Sequence, residues 1–245
     1  MTEHTSKQFD AELEAVRSRV LQMGGLVEEQ IVRAMDALAS GDMPLMEKVI
    51  ADDHRVNAME VELDELCSHI IARRQPAAVD LRLLITVIKT ITDLERIGDE
   101  SEKIARMAKL IHTAERQHMP RLDLGNVAER ALSMLRQSLD AFARLDVSEA
   151  MRVVKLDSEV DDAFRAIMRQ LITFMMEDPR TITRSLEILF IAKAIERIGD
   201  HAKNMAEYVI YMVKGRDVRH TSIEEVEKEI LQQQIGTDPI FLICR

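Results

Sequence analysis

The chain has 245 residues, a net charge of −10, 47% hydrophobic residues, 3% aromatics and no tryptophan. Such a chain can bury a sizeable core, so disorder is set aside. The acidic balance argues against a nucleic-acid surface, which needs basic charge, and against adsorption to anionic lipid.

The amino terminus, Met1-Thr-Glu-His-Thr-Ser-Lys, has no apolar h-region, so no signal peptide is expected. Apolar residues then recur every three or four positions from Phe9 to Ala39, predicting a first helix that stops at Ser40-Gly41-Asp42-Met43-Pro44. A second helix is expected from Leu45 to Arg73, ending before Pro76, and a third from Asp80 to His112. Cys67 falls on the apolar stripe of the second helix and reads as a small core residue. With Cys244 the only other cysteine, no disulfide framework is implied, and a reducing, cytoplasmic setting is expected.

The stretch 115–125, with Pro120 and Gly125, is the expected boundary between units. Three further helices follow: Asn126–Arg144, Ser148–Met176 and Ile182–Val213, with Asp178-Pro179 as the break before the last. Even the apolar run Leu186–Ala194 is interrupted by Glu187 and Lys193, so no membrane span is expected. A short charged helix, Ser222–Gln234, is expected in the tail; 236–245 has no physical reading. Scarce glycine, proline and aromatics, with Met, Leu, Ile and Ala filling the interior, suit helices better than sheets. The fold class is therefore all-α: two tandem, similar three-helix bundles of long antiparallel helices, at 9–114 and 121–215, with 216–245 as a tail.

The pentapeptide Glu-Arg-Ile-Gly-Asp occurs twice, at Glu95–Asp99 and Glu196–Asp200, 101 residues apart. Each copy sets like charges one turn apart, which repel by a few tenths of a kcal/mol, around a glycine that costs ~1 kcal/mol in a helix interior. Earlier in each half, Asp36/Asp140, Val49/Val153, Asp53/Asp157 and Val56/Val160 coincide at an offset of 104. Folding back at Pro76 and at Asp178-Pro179 should bring the second and third helices of each half level. That would group Asp53, Asn57, Glu95 and Asp99 in one cluster, and Asp157, Asp161, Glu196 and Asp200 in the other.

Two readings of these clusters stay open. One is an oxygen-ligand metal site for Mg, Ca, Mn or ferric iron. The other is a solvated face of interhelical salt bridges, with Arg55, Arg96, Lys103, Arg197 and Lys203 supplying counter-charge. Gly98 and Gly199 read as close-approach points between helices. No phosphate-cradling loop, nucleophile elbow, Cys-x-x-Cys or His-Glu-x-x-His is present. The lone Glu-x-x-His, Glu115–His118, has no partner in the second half, so a di-iron carboxylate bundle is disfavoured. His201 reads as a hydrogen-bonded or surface residue. Enzymatic catalysis is not expected.

The chain resembles the PhoU family from about Phe9 to His220. The pieces that carry this are Met23-Gly-Gly-Leu-Val-Glu, Arg73-Arg-Gln-Pro-Ala, Leu94-Glu-Arg-Ile-Gly-Asp, Asp140-Ala-Phe-Ala-Arg, Met175-Met-Glu-Asp-Pro-Arg and Ile195-Glu-Arg-Ile-Gly-Asp-His, in order. The resemblance implies a cytoplasmic homodimer that restrains phosphate uptake and the phosphate-starvation response. It would act as an adaptor between the phosphate ABC transporter ATPase and a sensor histidine kinase, with no nucleic-acid partner and no membrane insertion. It also implies metal (Fe, Zn, Mn or Mg) at acidic residues spaced by three, which Glu95/Asp99, Glu196/Asp200 and Asp157/Asp161 match and Asp53/Asn57 does not. The alternative is a carboxylate-bundle metal-binding or storage protein without a signalling role.

Overall fold

The structure, a computed structural model, describes residues 7–113, 122–218 and 221. The expected tail helix Ser222–Gln234, the segment 236–245, Cys244 and the Glu115–His118 pair lie outside them. Among the described residues all regular structure is helical: α1 Lys7–Ser40, α2 Met43–Asp52, α3 His54–Arg74, α4 Ala78–Thr113, α5 Leu124–Arg144, α6 Val147–Glu177 and α7 Ile182–Lys214, with a 3₁₀ turn at Pro179–Thr181. No helix of these is long and apolar enough to cross a membrane.

The boundaries follow from local chemistry. Gly41 ends α1 at φ 74, and its N–H bonds the carbonyl of Ala37 at 2.9 Å. Asp42 then caps α2 by accepting from the Leu45 N–H at 3.1 Å, with Pro44 in the first turn. Asp146 caps α6 in the same way, accepting from the N–H groups of Ser148 and Glu149. Gly215 ends α7 at φ 74. The corresponding ends of α3 and α5 use Gln75 and Leu145 in the left-handed region, at φ 46 and 57, a conformation that L residues adopt at some cost.

The second helix expected from the sequence is two helices. Between α2 and α3 stands Asp53, whose torsions stay helical at φ −57 and ψ −36. What changes is the ladder: the Val56 N–H bonds the Asp53 carbonyl at 2.9 Å, an i+3 contact that tightens the turn. The Asp53 side chain is drawn inward at this point. In the second half α6 runs through the matching position unbroken.

One apolar core takes residues from both halves, among them Val20, Val27, Leu63, Leu94 and Ile104 from the first and Leu135, Phe142, Leu171, Ile195 and Met205 from the second. Cys67 is in it, and burial pushes its thiol up to about 12. The most extensive helix pairing is α4 against α7, so the two units meet along their longest helices. This junction is partly polar. His201 Nδ1 lies 2.6 Å from Asp93 Oδ1, Asn204 Nδ2 donates to the same oxygen at 3.3 Å, and Arg197 pairs with the buried Glu100 at 3.1 Å.

Candidate metal centre

The two copies of the pentapeptide lie in the middle of α4 and α7, and each glycine marks a close approach. A Cβ on Gly199 would lie 3.4 Å from Val160 Cγ1 and 3.7 Å from Met134 Sδ, ordinary contact distances. A Cβ on Gly98 would meet Val56 Cγ1, Asp53 Oδ1 and Gln30 Oε1, each at 3.3 Å. These neighbours correspond at the offset seen in the sequence: Val56 with Val160, and Gln30 with Met134. Each carboxylate turn is thus backed by its own first helix, α1 or α5.

In the second half, Asp157 and Asp161 on α6 and Asp200 on α7 each present an oxygen within 4.8 Å of the others. The i, i+4 spacing puts the two α6 carboxylates on one face, and the turn at Asp178-Pro179 brings Asp200 level with them. Asp157 is 8% exposed and accepts from Lys203 Nζ at 2.6 Å. Asp161 is half-buried, with Arg165 at 3.5 Å. Burial, and then the charges of Glu196 and Asp157, push the Asp200 carboxyl up to about 6. Glu196 is not one of the three; both of its oxygens lie 2.5 Å from Lys193 Nζ, whose ammonium also stands 5.4 Å over the Phe164 ring.

The first half groups its expected residues differently. Asp53 is buried and accepts from Gln30 Nε2 at 3.0 Å and Asn57 Nδ2 at 3.2 Å. Glu95 and Asp99 are both held above the ordinary carboxylate range, chiefly by burial, with Asp99 as the next cause for Glu95 and Asp53 for Asp99. Arg96 pairs with both, at 3.4 and 3.3 Å.

The donor set in the second half suits a hard cation: three carboxylates on adjoining helices, two of them one turn apart. Asp157, Asp161 and Asp200 would hold it, and its charge would offset the burial and the neighbouring negative charges that raise Asp200. The salt-bridge reading accounts for part of the surroundings, since Lys203 and Lys193 each take a carboxylate. It pairs Asp157 with Lys203 and Asp161 with Arg165, and among the described residues leaves Asp200 as the carboxylate of the three without an ion pair. Arg197, expected as local counter-charge, instead pairs with Glu100 across the α4–α7 junction, while Arg55 is exposed. Gln30 was not among the residues singled out from the sequence; a polar residue between Val27 and Ile31 on the buried stripe of α1 is the signal that would have found it.

Comparison with known proteins is consistent across sequence and fold. The PhoU domain family model matches residues 20–108 and again 124–209. A phosphate-specific transport system accessory protein PhoU homolog from Pseudomonas aeruginosa is 47% identical over 232 residues, covering 94% of this chain and 95% of that protein. The Escherichia coli phosphate-specific transport system accessory protein PhoU is 47% identical over 229 residues, covering 93% and 94%. Among solved structures, that of PhoU from Pseudomonas aeruginosa superposes with a TM-score of 0.81, over 85% of this chain and 100% of that one. The phosphate transport system regulatory protein PhoU from Streptococcus pneumoniae, 30% identical, gives 0.80 over 86% and 99%.

Proposed function

The chain belongs to the PhoU family, and from that membership we propose that it is an accessory regulator of phosphate transport that restrains phosphate uptake and the phosphate-starvation response. It acts without catalysis, as an adaptor on the cytosolic side between the ATPase of a phosphate ABC transporter and a sensor histidine kinase, and it works as a homodimer. The observation that supports this most is the match of both halves to the PhoU domain, together with relatives of nearly equal length named for phosphate-specific transport. Its two units are taken as 9–114 and 121–215, with 216–245 as a tail.

A chain of long helices with a net charge of −10 suits an adaptor for basic cytosolic faces, where complementary charge speeds encounter more than it adds affinity. A cation of the Mg, Ca, Mn, Fe or Zn class is held at Asp157, Asp161 and Asp200, with Asp53, Asn57, Glu95 and Asp99 as a second candidate group. Such a cation would fix α6 against α7 and alter the charge of the face offered to a partner.

The test is a deletion strain carrying a phosphate-starvation reporter. Loss of the chain should leave the reporter on in plentiful phosphate, and the wild-type chain should restore repression. Co-purification of the transporter ATPase and the kinase's cytosolic domain with the wild-type chain should succeed. A reporter that still responds normally to phosphate in the deletion strain would overturn the regulatory reading and favour a metal-binding role alone.

A further inference from the structure

The two halves also differ away from the carboxylate turns, where α1 runs beside α3 and α5 beside α6. In the first half Arg19 on α1 reaches across to Glu62 on α3. Met59 and Leu66, on either side of Glu62, pack partly buried against the core. At the offset of 104, Arg19, Glu62, Met59 and Leu66 become Asp123, Ala166, Ala163 and Gln170. The levels agree, because Arg130 on α5 pairs with Glu159 on α6 at 3.1 Å, which in an antiparallel pair sets Asp123 opposite Ala166.

Two methyl groups thus stand where the first half has a thioether and a carboxylate chain, and a groove of about 280 Å³ lies between α5 and α6. Val127 and Ile167 are buried in its wall, with Ala163 and Ala166 beside them; Asp123, Arg130 and Gln170 are exposed on its rim. The charges on the rim are unequal. Arg130 is answered by Glu159. Asp123 accepts only from the backbone N–H and the side-chain amide of Asn126, at 3.3 and 3.2 Å, and among the described residues no cation pairs with it. A carboxylate has about four lone-pair positions, so Asp123 can cap α5 and still receive a donor.

The first half shows what is missing, since there the chain lays its own guanidinium across the two helices onto a carboxylate. In the second half the carboxylate has moved to the α5 side, the arginine is gone and the wall beneath is apolar. An arginine from outside satisfies both parts: its stem covers apolar surface while its head stays at the rim, and its planar fork matches a carboxylate. We propose that this groove docks an arginine side chain presented by a partner protein, with the stem on Ala163, Ala166 and Ile167 and the guanidinium on Asp123. That a partner protein presents it rests on the adaptor reading; the preference of the groove for arginine does not.

Titration of N-acetyl-arginine amide into the full chain, followed by NMR of isotope-labelled alanine, isoleucine and valine methyl groups, tests it. The methyl signals of Val127, Ala163, Ala166 and Ile167 should move together and saturate. N-acetyl-citrulline amide, of the same shape without the charge, and N-acetyl-norleucine amide should each bind about threefold more weakly or worse. Asp123→Asn keeps a good helix cap and should cost the arginine ligand about threefold. Asp123→Arg with Ala166→Glu, which copies the pair of the first half, and Ala163→Met, which refills the groove, should each abolish the shifts; thermal unfolding checks that both are folded. Where the wild-type chain recovers the transporter ATPase or the kinase domain, Ala163→Met should recover clearly less. Equal affinity for citrulline or norleucine, unchanged affinity in Asp123→Asn, shifts that persist in folded Ala163→Met, or full recovery of partners by it would overturn the proposal. Absence of any shift in the wild type would overturn it too, while the regulatory reading, tested by the reporter strain, would stand.

Discussion

Asp53 and Asp157 occupy the same place in the two halves and satisfy their charge by opposite means. Asp157 has a lysine at 2.6 Å and two carboxylates converging on it from Asp161 and Asp200. Asp53 has two amides, whose remaining oxygens go unpaired. The backbone differs in step: α6 passes Asp157 unbroken, whereas the helix is interrupted at Asp53. A flanking pair differs as well. Thr92 and Glu60 hydrogen-bond at 3.4 Å in the first half, where the second sets Lys193 over Phe164. The two halves share the approach of Val56 and Val160 to their glycines, while the groups bonded to the two aspartates are amides in the first half and a lysine in the second. The side chains around each turn, and not the turn alone, set what that turn can hold.

The largest expected effect is on the second site. Asp200→Asn removes one of three convergent carboxylates and should lower manganese affinity about 100-fold, with Asp99→Asn leaving that site unchanged. Protons compete for the same oxygen. Because Asp200 in the fold titrates at about 6, above its ordinary 3.8, manganese affinity should fall as pH drops below about 6. The metal-free protein should respond with the opposite sign. A carboxyl raised by folding destabilises the fold above about 6, and this is relieved as pH falls toward 3.8, so the Asp200 contribution favours stability at mildly acid pH. Chemical denaturation of wild type and Asp200→Asn between pH 5 and 7.5 checks this: the variant should lose that part of the pH dependence.

How far the sequence foretold these sites can be read from the same residues. The apolar spacing from Phe9 to Val213, the stops at Gly41 and Pro76 and the break at Pro179 were all visible, because each acts within a turn or two. The pairing of Asp157 with Asp200 followed from counting back from the turn. The interruption at Asp53 was not visible, since no glycine or proline marks it, and neither was its bond to Gln30, 23 residues away on another helix. Nor was the partner of Glu196: Lys193 lies one turn before it, but the spacing alone could not decide between a lysine and a shared cation. The polar contacts of Asp93 and Glu100 with α7 were hidden because nothing in either half foretells how one unit meets the other.

A smaller effect is expected at Lys203. Lys203→Met removes a positive charge next to the second site, so manganese should bind about tenfold tighter. Without metal the same variant should be less stable by about 1–3 kcal/mol, because Asp157 is left buried and unpaired. Titration and denaturation of one sample give both signs, and a loss of affinity would show that Lys203 supports the site instead of competing for it.

The glycines sharpen the comparison further. Gly199→Ala has ordinary contacts to meet and should stabilise the chain by up to about 1 kcal/mol through helix propensity. Gly98→Ala crowds Asp53, Gln30 and Val56 together and should lose that gain, ending neutral or destabilising by about 1 kcal/mol. Equal effects in urea denaturation would mean that the first site yields as readily as the second. The exposed pair Arg130–Glu159 serves as the lower bound: Arg130→Ala should change stability by less than about 0.5 kcal/mol.

The most direct measurement is the anomalous scattering of manganese in crystals of the full chain. Density bonded to Asp157, Asp161 and Asp200 at once is the expected result. Manganese bound elsewhere, with those three carboxylates engaged only by Lys203, Arg165 and solvent, would contradict the assignment of a cation site to the turn between α6 and α7.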